Sequence, residues 1–315
     1  MRPSYFYSLT LLCHLALTLT SVQAEKGEWR EDEFATSNVF TFIPKGFLEK
    51  GKEERSLLIN LHGCAQKAKD LKEGAGWEAP SLEHNTLIVI PDVPNGGKYT
   101  GCWNYYGKDH SRLNKDNQFI LNLTAKWIKD YQINPHQVFI AGLSSGSALA
   151  FVLSCLAPEV YAGVGLNSGP SVGTGVFEIS RARQSVDDIA QNCRSLAKDK
   201  SAHFRNQIVS VISGDYDWVV DNRYSQISAD AYAKMFQTTS KVEFDTSTLA
   251  GSNSEGKGIH YLLNGKVVIS LIENKGLGHN WPGGQGGTSG SFINQDSIDY
   301  ARYLLDFFHS NNRRP

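Results

Sequence analysis

Val138 Phe139 Ile140 Ala141 Gly142 Leu143 Ser144 Ser145 Gly146 Ser147 Ala148 decides the fold. Its first half is β-branched and aromatic, its end passes into the helix formers Ala148, Leu149 and Ala150, and a GxSxG turn joins the two. A serine held on a sharp strand-to-helix turn needs neighbours without side chains, so that the backbone can bend and the helix can pack close. Gly142 and Gly146 meet that need. GxSxG alone also fits an ordinary βα turn rich in glycine and serine. The strand before it and the helix after it identify a nucleophile elbow, with Ser144 as the nucleophile.

Outward from this turn, strand patterns recur at Asn38 to Ile43, Ser56 to Leu61, Thr86 to Pro91, Gln137 to Ala141, Tyr161 to Asn167 and Gln207 to Ser213. Several are near-continuous apolar runs of the kind buried on both faces of a parallel sheet. Helical patterns lie between them, as at Asn117 to Tyr131, where Ile120, Leu121, Leu123, Trp127 and Ile128 share a face, and at Leu149 to Leu156. Strands alternating with helices predict an α/β fold with a doubly wound, mostly parallel sheet and helices on both faces. Lys241 to Glu273 reads as an irregular excursion ending in a hairpin that turns at Asn264 and Gly265.

In such a sheet, ligands meet the carboxyl ends of the strands. Leu61 His62 Gly63 Cys64 is one such end. Backbone N–H groups there, with the amide of Ser145, could hold a tetrahedral oxyanion, while His62 could equally just satisfy strand-end backbone groups. Ser213 Gly214 Asp215 Tyr216 Asp217 is a second end, and two aspartates compete to orient a catalytic histidine. Asp217 is favoured because it lies beyond the turn, although a strand-end aspartate is often only a turn former. Gly276 Leu277 Gly278 His279 Asn280 Trp281 is a loop whose histidine sits between glycines and can swing over the sheet edge. His279 is the best base candidate. The chain order Ser144, Asp217, His279 is that of α/β-hydrolases.

The chain opens with Arg2, an apolar stretch from Tyr5 to Leu19 and small residues up to Ala24. This predicts a signal peptide over 1–24, cleaved near Ala24, and a secreted single catalytic domain over 25–315. The apolar stretch is short for a membrane span. Charge is balanced, with 31 basic and 32 acidic residues, so neither nucleic acid nor an acidic membrane surface is expected as a partner. Four cysteines remain after cleavage, Cys64, Cys102, Cys155 and Cys193. In an exported chain they imply two disulfides, and spacing leaves all three pairings open.

The runs Leu58 to Gln66 (LINLHGCAQ), Cys102 to Asn104 (CWN), GLSSGSA, SGDYDWVV and Gly276 to Gly287 (GLGHNWPGGQGG) resemble the extracellular polyhydroxybutyrate depolymerases and related feruloyl and acetylxylan esterases, over nearly all of the mature chain. HGCxQ, CWN and GHNWPxG together are far more specific than GxSxG. The resemblance implies the α/β-hydrolase fold, a triad of Ser144, Asp217 and His279, and an oxyanion hole from the Cys64 and Ser145 amides. Together with the topology it also implies the pairs Cys64–Cys102 and Cys155–Cys193, the first tying the oxyanion loop to the Trp103 loop. Ser147 departs from the second glycine of many relatives, and no linker or separate polymer-binding domain follows the last helix pattern. No metal, organic cofactor or protein partner is implied. Trp103, Tyr105, Tyr106, Trp218 and Trp281 lie near these strand ends in sequence. Together they suit an apolar-faced polymer, and Trp103, Tyr105, Trp218 and Trp281 are taken as substrate-binding candidates, although any one ring could instead cap the core. The expectation is a serine ester hydrolase acting on polyhydroxyalkanoate. The alternatives are a feruloyl or acetylxylan esterase, or a non-catalytic polymer-binding protein, whose hallmark would be a lost triad member.

Overall fold

The computed structural model describes residues 27–315, so the signal peptide expected at 1–24 lies outside the described residues. One sheet is built from β1 (Gly27–Phe34), β2 (Ser37–Pro44), β3 (Ser56–Leu61), β4 (Thr86–Pro91), β5 (Val138–Leu143), β6 (Gly163–Asn167), β7 (Ile208–Gly214), β8 (Ser240–Phe244), β9 (Gly256–Leu263) and β10 (Lys266–Asn274). Its spatial order is β1-β2-β4-β3-β5-β6-β7-β10-β9-β8. The strands from β4 through β10 in that order pair in parallel. Antiparallel pairs close both edges. Every residue of β3, β4, β5 and β6 is buried, as their apolar runs predict for strands covered on both faces.

Among the described residues, seven α-helices cover those faces: α1 (Ala68–Gly74), α2 (Glu78–His84), α3 (Lys115–Asp130), α4 (Ser145–Leu156), α5 (Val186–Ala197), α6 (Arg223–Phe236) and α7 (Tyr300–Asn311). The two-residue period of β3 splits its side chains between two cores. Leu57, Ile59 and Leu61 pack with α3, α4, α5 and α6, whereas Leu58 faces α1 and α7. This is the doubly wound α/β arrangement expected from the alternating pattern.

Two features differ from the sequence reading. The region from Lys241 to Glu273 is no excursion from the sheet, because β10 pairs with β7, β9 with β10 and β8 with β9. β8 is mostly exposed, so it lacks the apolar alternation that would reveal it. β1 is an equally exposed acidic edge strand, and charge there guards the unpaired edge against association. The hairpin itself turns at Asn264 and Gly265 with φ of 52° and 78°, the left-handed pair that an Asn-Gly turn supplies.

Near the amino ends of β3 and β4, His309 of α7 stacks on His84 at 4.6 Å, and its Nε2 lies 3.0 Å from the Thr86 hydroxyl. Burial, and next the charge of His84, pushes His309 down to about 4. An unfolded chain takes up this proton at about pH 6.5, so the folded state is disfavoured progressively as pH falls from there to about 4, by up to about 3 kcal/mol. His309→Gln keeps an acceptor without an ionisable ring. Its urea midpoint should fall less between pH 7 and pH 4.5 than that of the wild type, and equal losses would place the acid lability elsewhere.

Candidate active site

β5 delivers Ser144 with φ 56° and ψ −118°, a conformation that L-residues rarely adopt, and α4 starts at the next residue. Two close approaches impose it. A Cβ on Gly142 would lie 2.4 Å from the Gly146 carbonyl carbon, and one on Gly146 would lie 2.3 Å from the Leu61 carbonyl oxygen. The glycines therefore let α4 lie against β5 and the end of β3, and the turn between has room only for a bent backbone. The Ser144 amide donates to the Asn167 carbonyl at 2.9 Å, fixing the elbow to β6.

The residues expected to form the oxyanion loop come from the end of β3. A Cβ placed on Gly63 would sit 3.3 Å from the Ser144 Cβ, so this loop passes directly beside the serine. His62 is fully buried and structural: Nδ1 donates to the Gly63 carbonyl at 2.7 Å, and Nε2 accepts from the Val93 amide at 3.1 Å. Because Val93 needs an acceptor, the ring proton is assigned to Nδ1. Burial also holds this imidazole below its ordinary pKa, in keeping with a neutral ring. The Trp103 indole donates to the His62 carbonyl at 3.0 Å, and the Cys64–Cys102 disulfide closes the same contact covalently. The second disulfide joins Cys155 of α4 to Cys193 of α5. Both pairs agree with the expected connectivity.

Asp217 and His279 meet at 2.7 Å, Oδ2 to Nδ1, with only 1% and 7% of their side chains exposed. The other carboxylate oxygen, Oδ1, accepts from the Val219 and Val220 amides at 2.9 and 3.0 Å. Burial raises the Asp217 carboxyl, but the His279 bond and charge together with the two amides outweigh it and leave the group below its ordinary value. Asp215 does something different: it is exposed, and its Oδ1 accepts the Gly276 amide at 2.6 Å, bracing the histidine loop from outside. Asn167 Nδ2 donates to the Asn280 carbonyl at 3.1 Å. One residue at the end of β6 thus binds both the Ser144 amide and the peptide beside His279. Ser144 itself is partly exposed, and no hydrogen bond joins its hydroxyl to the His279 ring among the described residues. Such bonds often tighten only when substrate is bound.

The aromatic candidates separate. Trp103 and Trp281 are 0% exposed and Tyr105 is 2% exposed, so they cannot meet a polymer and are corrected to core residues. Each indole is held inside by a hydrogen bond, that of Trp281 to the Ala75 carbonyl at 3.2 Å. Trp218, 84% exposed, keeps a free face and packs edge-on to Tyr216 at 6.0 Å. Sequence reasoning gave no role to Gln66 or Asn167. Gln66 is only 2% exposed; Oε1 accepts the Gly63 amide at 2.8 Å and Nε2 donates to the Ser291 carbonyl. Its place in HGCxQ was the available signal.

Residues 41–236, which include Ser144 and Asp217, match the family model described as esterase, PHB depolymerase. The chain belongs to this family. It is 27% identical over 323 residues to a poly(3-hydroxybutyrate) depolymerase of Ralstonia pickettii, covering 97% of this chain and 65% of the relative. It is 23% identical to poly(3-hydroxyalkanoate) depolymerase C of Paucimonas lemoignei, covering 98% of this chain and 75% of the relative. The chain thus spans about two thirds to three quarters of these relatives' lengths. Among solved structures, an acetyl xylan esterase from Aspergillus awamori superposes with a TM-score of 0.66 at 15% identity, over 80% of this chain and 94% of that one. That likeness is one of fold, and the fold is that of the α/β-hydrolases.

Asp217→Asn should lower turnover of a short activated ester by about a thousandfold or more, because an amide cannot accept from Val219, Val220 and the His279 ring with two oxygens. Asp215→Asn retains an oxygen for Gly276 and should change it by less than about fivefold. Steady-state kinetics on both variants, with circular dichroism to verify folding, would reverse the assignment if Asp215→Asn were the more damaging.

Cys64→Ser with Cys102→Ser removes a cross-link between residues 38 apart in sequence. The chain-entropy model puts its contribution on the order of 4 kcal/mol. The double variant should show a lower urea midpoint and a reduced kcat. Reduced stability with kcat intact would mean that the bridge does not support the Cys64 amide.

Proposed function

We propose that this protein is a secreted serine ester hydrolase that cleaves polyhydroxyalkanoate through Ser144, His279 and Asp217. The observation that carries the reading is the buried Asp217–His279 pair at 2.7 Å, set by shared hydrogen-bond partners beside a strained serine elbow. With Nδ1 held by the carboxylate, the other ring nitrogen is the free base. It takes the Ser144 proton as the oxygen attacks the ester carbonyl; the amides of Cys64 and Ser145 hold the oxyanion, and the imidazolium then protonates the departing alcohol. Water repeats the sequence on the acyl-enzyme, releasing the acid and restoring the serine. Each oxyanion donor supports the rate by about 3 kcal/mol.

The two disulfides favour export, with the catalytic domain within 25–315. No helix among the described residues is long and apolar enough to cross a membrane. A polymer substrate is favoured by the depolymerase relatives and by the exposed pair Tyr216 and Trp218 flanking Asp217. Neither nucleic acid nor a stable membrane contact belongs to this reading, since the chain's charge is balanced. Acetylated or feruloylated xylan is the second reading, because relatives named acetylxylan esterase also align with part of the chain, 43% of it in the one from Neosartorya fischeri.

The deciding assay incubates the protein with amorphous polyhydroxybutyrate granules, acetylated xylan and feruloylated arabinoxylan. Release of 3-hydroxybutyrate that Ser144→Ala abolishes is expected. Acetate or ferulate release without 3-hydroxybutyrate would transfer the site to polysaccharide esters, and no Ser144-dependent product from any of them would overturn the hydrolase reading.

A further inference from the structure

Ser291 and Phe292 form the tip of a tight loop, closed by reciprocal hydrogen bonds between Gly290 and Ile293, each 3.1 Å. Phe292 sits there at φ 55°, a left-handed conformation that glycine or asparagine would adopt far more readily than an aromatic residue. Both carbonyls of the tip are engaged by the candidate site. That of Ser291 accepts from Gln66, whose other end holds the Gly63 amide, and that of Phe292 accepts the Trp281 amide at 2.7 Å, two residues beyond His279. The Phe292 ring, tethered from both sides, stands edge-on to the His279 imidazole with centroids 6.3 Å apart and planes at 80°. It remains 40% exposed, unlike the buried Trp103, Tyr105 and Trp281. A strained aromatic kept half-exposed against a buried, hydrogen-bonded aspartate–histidine pair points to use of the ring itself.

We propose that Phe292 is the specificity-determining wall for the alcohol portion of the ester, selecting an apolar alcohol. This rests on the assignment of His279 as the acid that protonates the leaving group. The alcohol oxygen must come within hydrogen-bond reach of that imidazole, so the ring bordering His279 borders the alcohol rather than the acyl chain, whose carbonyl lies towards Cys64 and Ser145. The alcohol side of a poly(3-hydroxyalkanoate) is an alkyl-bearing chain that gains from an apolar wall. The alcohol side of an acetylated xylan is a sugar and gains less. Gln66 is the positioning residue, because it fixes the wall relative to the oxyanion loop.

The test compares two ester series by pH-stat: methyl and butyl acetate, which vary the alcohol, and methyl acetate and methyl butyrate, which vary the acyl group. Phe292→Ala should lower the butyl-to-methyl acetate ratio of kcat/KM about tenfold, mainly through KM, while the acyl ratio stays within about twofold. Phe292→Gly removes the ring and the backbone strain together, so it should shift the same ratio with no loss of Tm. An alcohol ratio that does not move, or that falls together with the acyl ratio, overturns the wall while leaving the hydrolase reading standing. Wild-type protein that cleaves none of these esters, or Ser144→Ala that cleaves them as fast, overturns the triad and the wall with it.

Discussion

The contact of Gly146 with the end of β3 governs the site. A Cβ at that position would lie 2.3 Å from the Leu61 carbonyl oxygen and 2.5 Å from that of His62, so no other residue fits without displacing the strand or the helix. Because α4 can approach this closely, the loop that leaves β3 passes beside Ser144 instead of standing off by the width of a side chain. The consequences propagate. The His62 carbonyl remains available to the Trp103 indole, Gly63 reaches Gln66, and Cys64 reaches Cys102.

A buried carboxylate beside a histidine is electrostatically expensive unless its lone pairs are satisfied. Asp217 meets that condition through local donors: two backbone amides serve one oxygen and the imidazole serves the other. The amides belong to residues immediately downstream, so the carboxylate is solvated by its own turn. That leaves the exposed flank of the turn free for Tyr216 and Trp218, which need no internal partner and can present apolar surface beside the site. Local satisfaction of the charge and outward display of the aromatics are thus two aspects of one short segment.

The parts legible in the sequence were those with a dense local signal. The parallel strands are unbroken apolar runs, the elbow is a strand, two glycines and a helix in succession, and Asn264-Gly265 is a turn whatever surrounds it. β1 and β8 escaped because exposed edge strands carry no apolar alternation, and their membership in the sheet is decided by partners far along the chain. The aromatic residues were misread for a related reason. Trp103, Tyr105 and Trp218 all follow strand ends, and proximity in sequence to a site cannot say which way a ring turns. In the folded chain the His62 and Ala75 carbonyls accept from the buried Trp103 and Trp281 indoles, whereas Trp218 stays outside. The roles of Gln66 and Asn167 were not legible for the same cause, although HGCxQ marked Gln66, since each acts by joining segments more than a hundred residues apart.

The histidine loop shows how composition can mislead. Its many glycines suggest a segment free to swing, yet several are there for close packing. A Cβ on Gly284 would lie 2.4 Å from the Asp299 Cα, and one on Gly287 would lie 2.3 Å from the Gly74 carbonyl oxygen. The Thr288 amide donates to that same carbonyl at 3.1 Å, so the loop is seated on the end of α1 backbone against backbone. Glycine confers freedom on an unfolded chain, but in a folded one it equally permits contacts that leave no room to move. Here Asp215 and Asn167 secure the near side of the loop and α1 secures the far side, which places His279 by packing from several directions. A histidine fixed in this way gives up adaptability in exchange for a constant position, and variation at the candidate site then falls to the half-exposed residues around it.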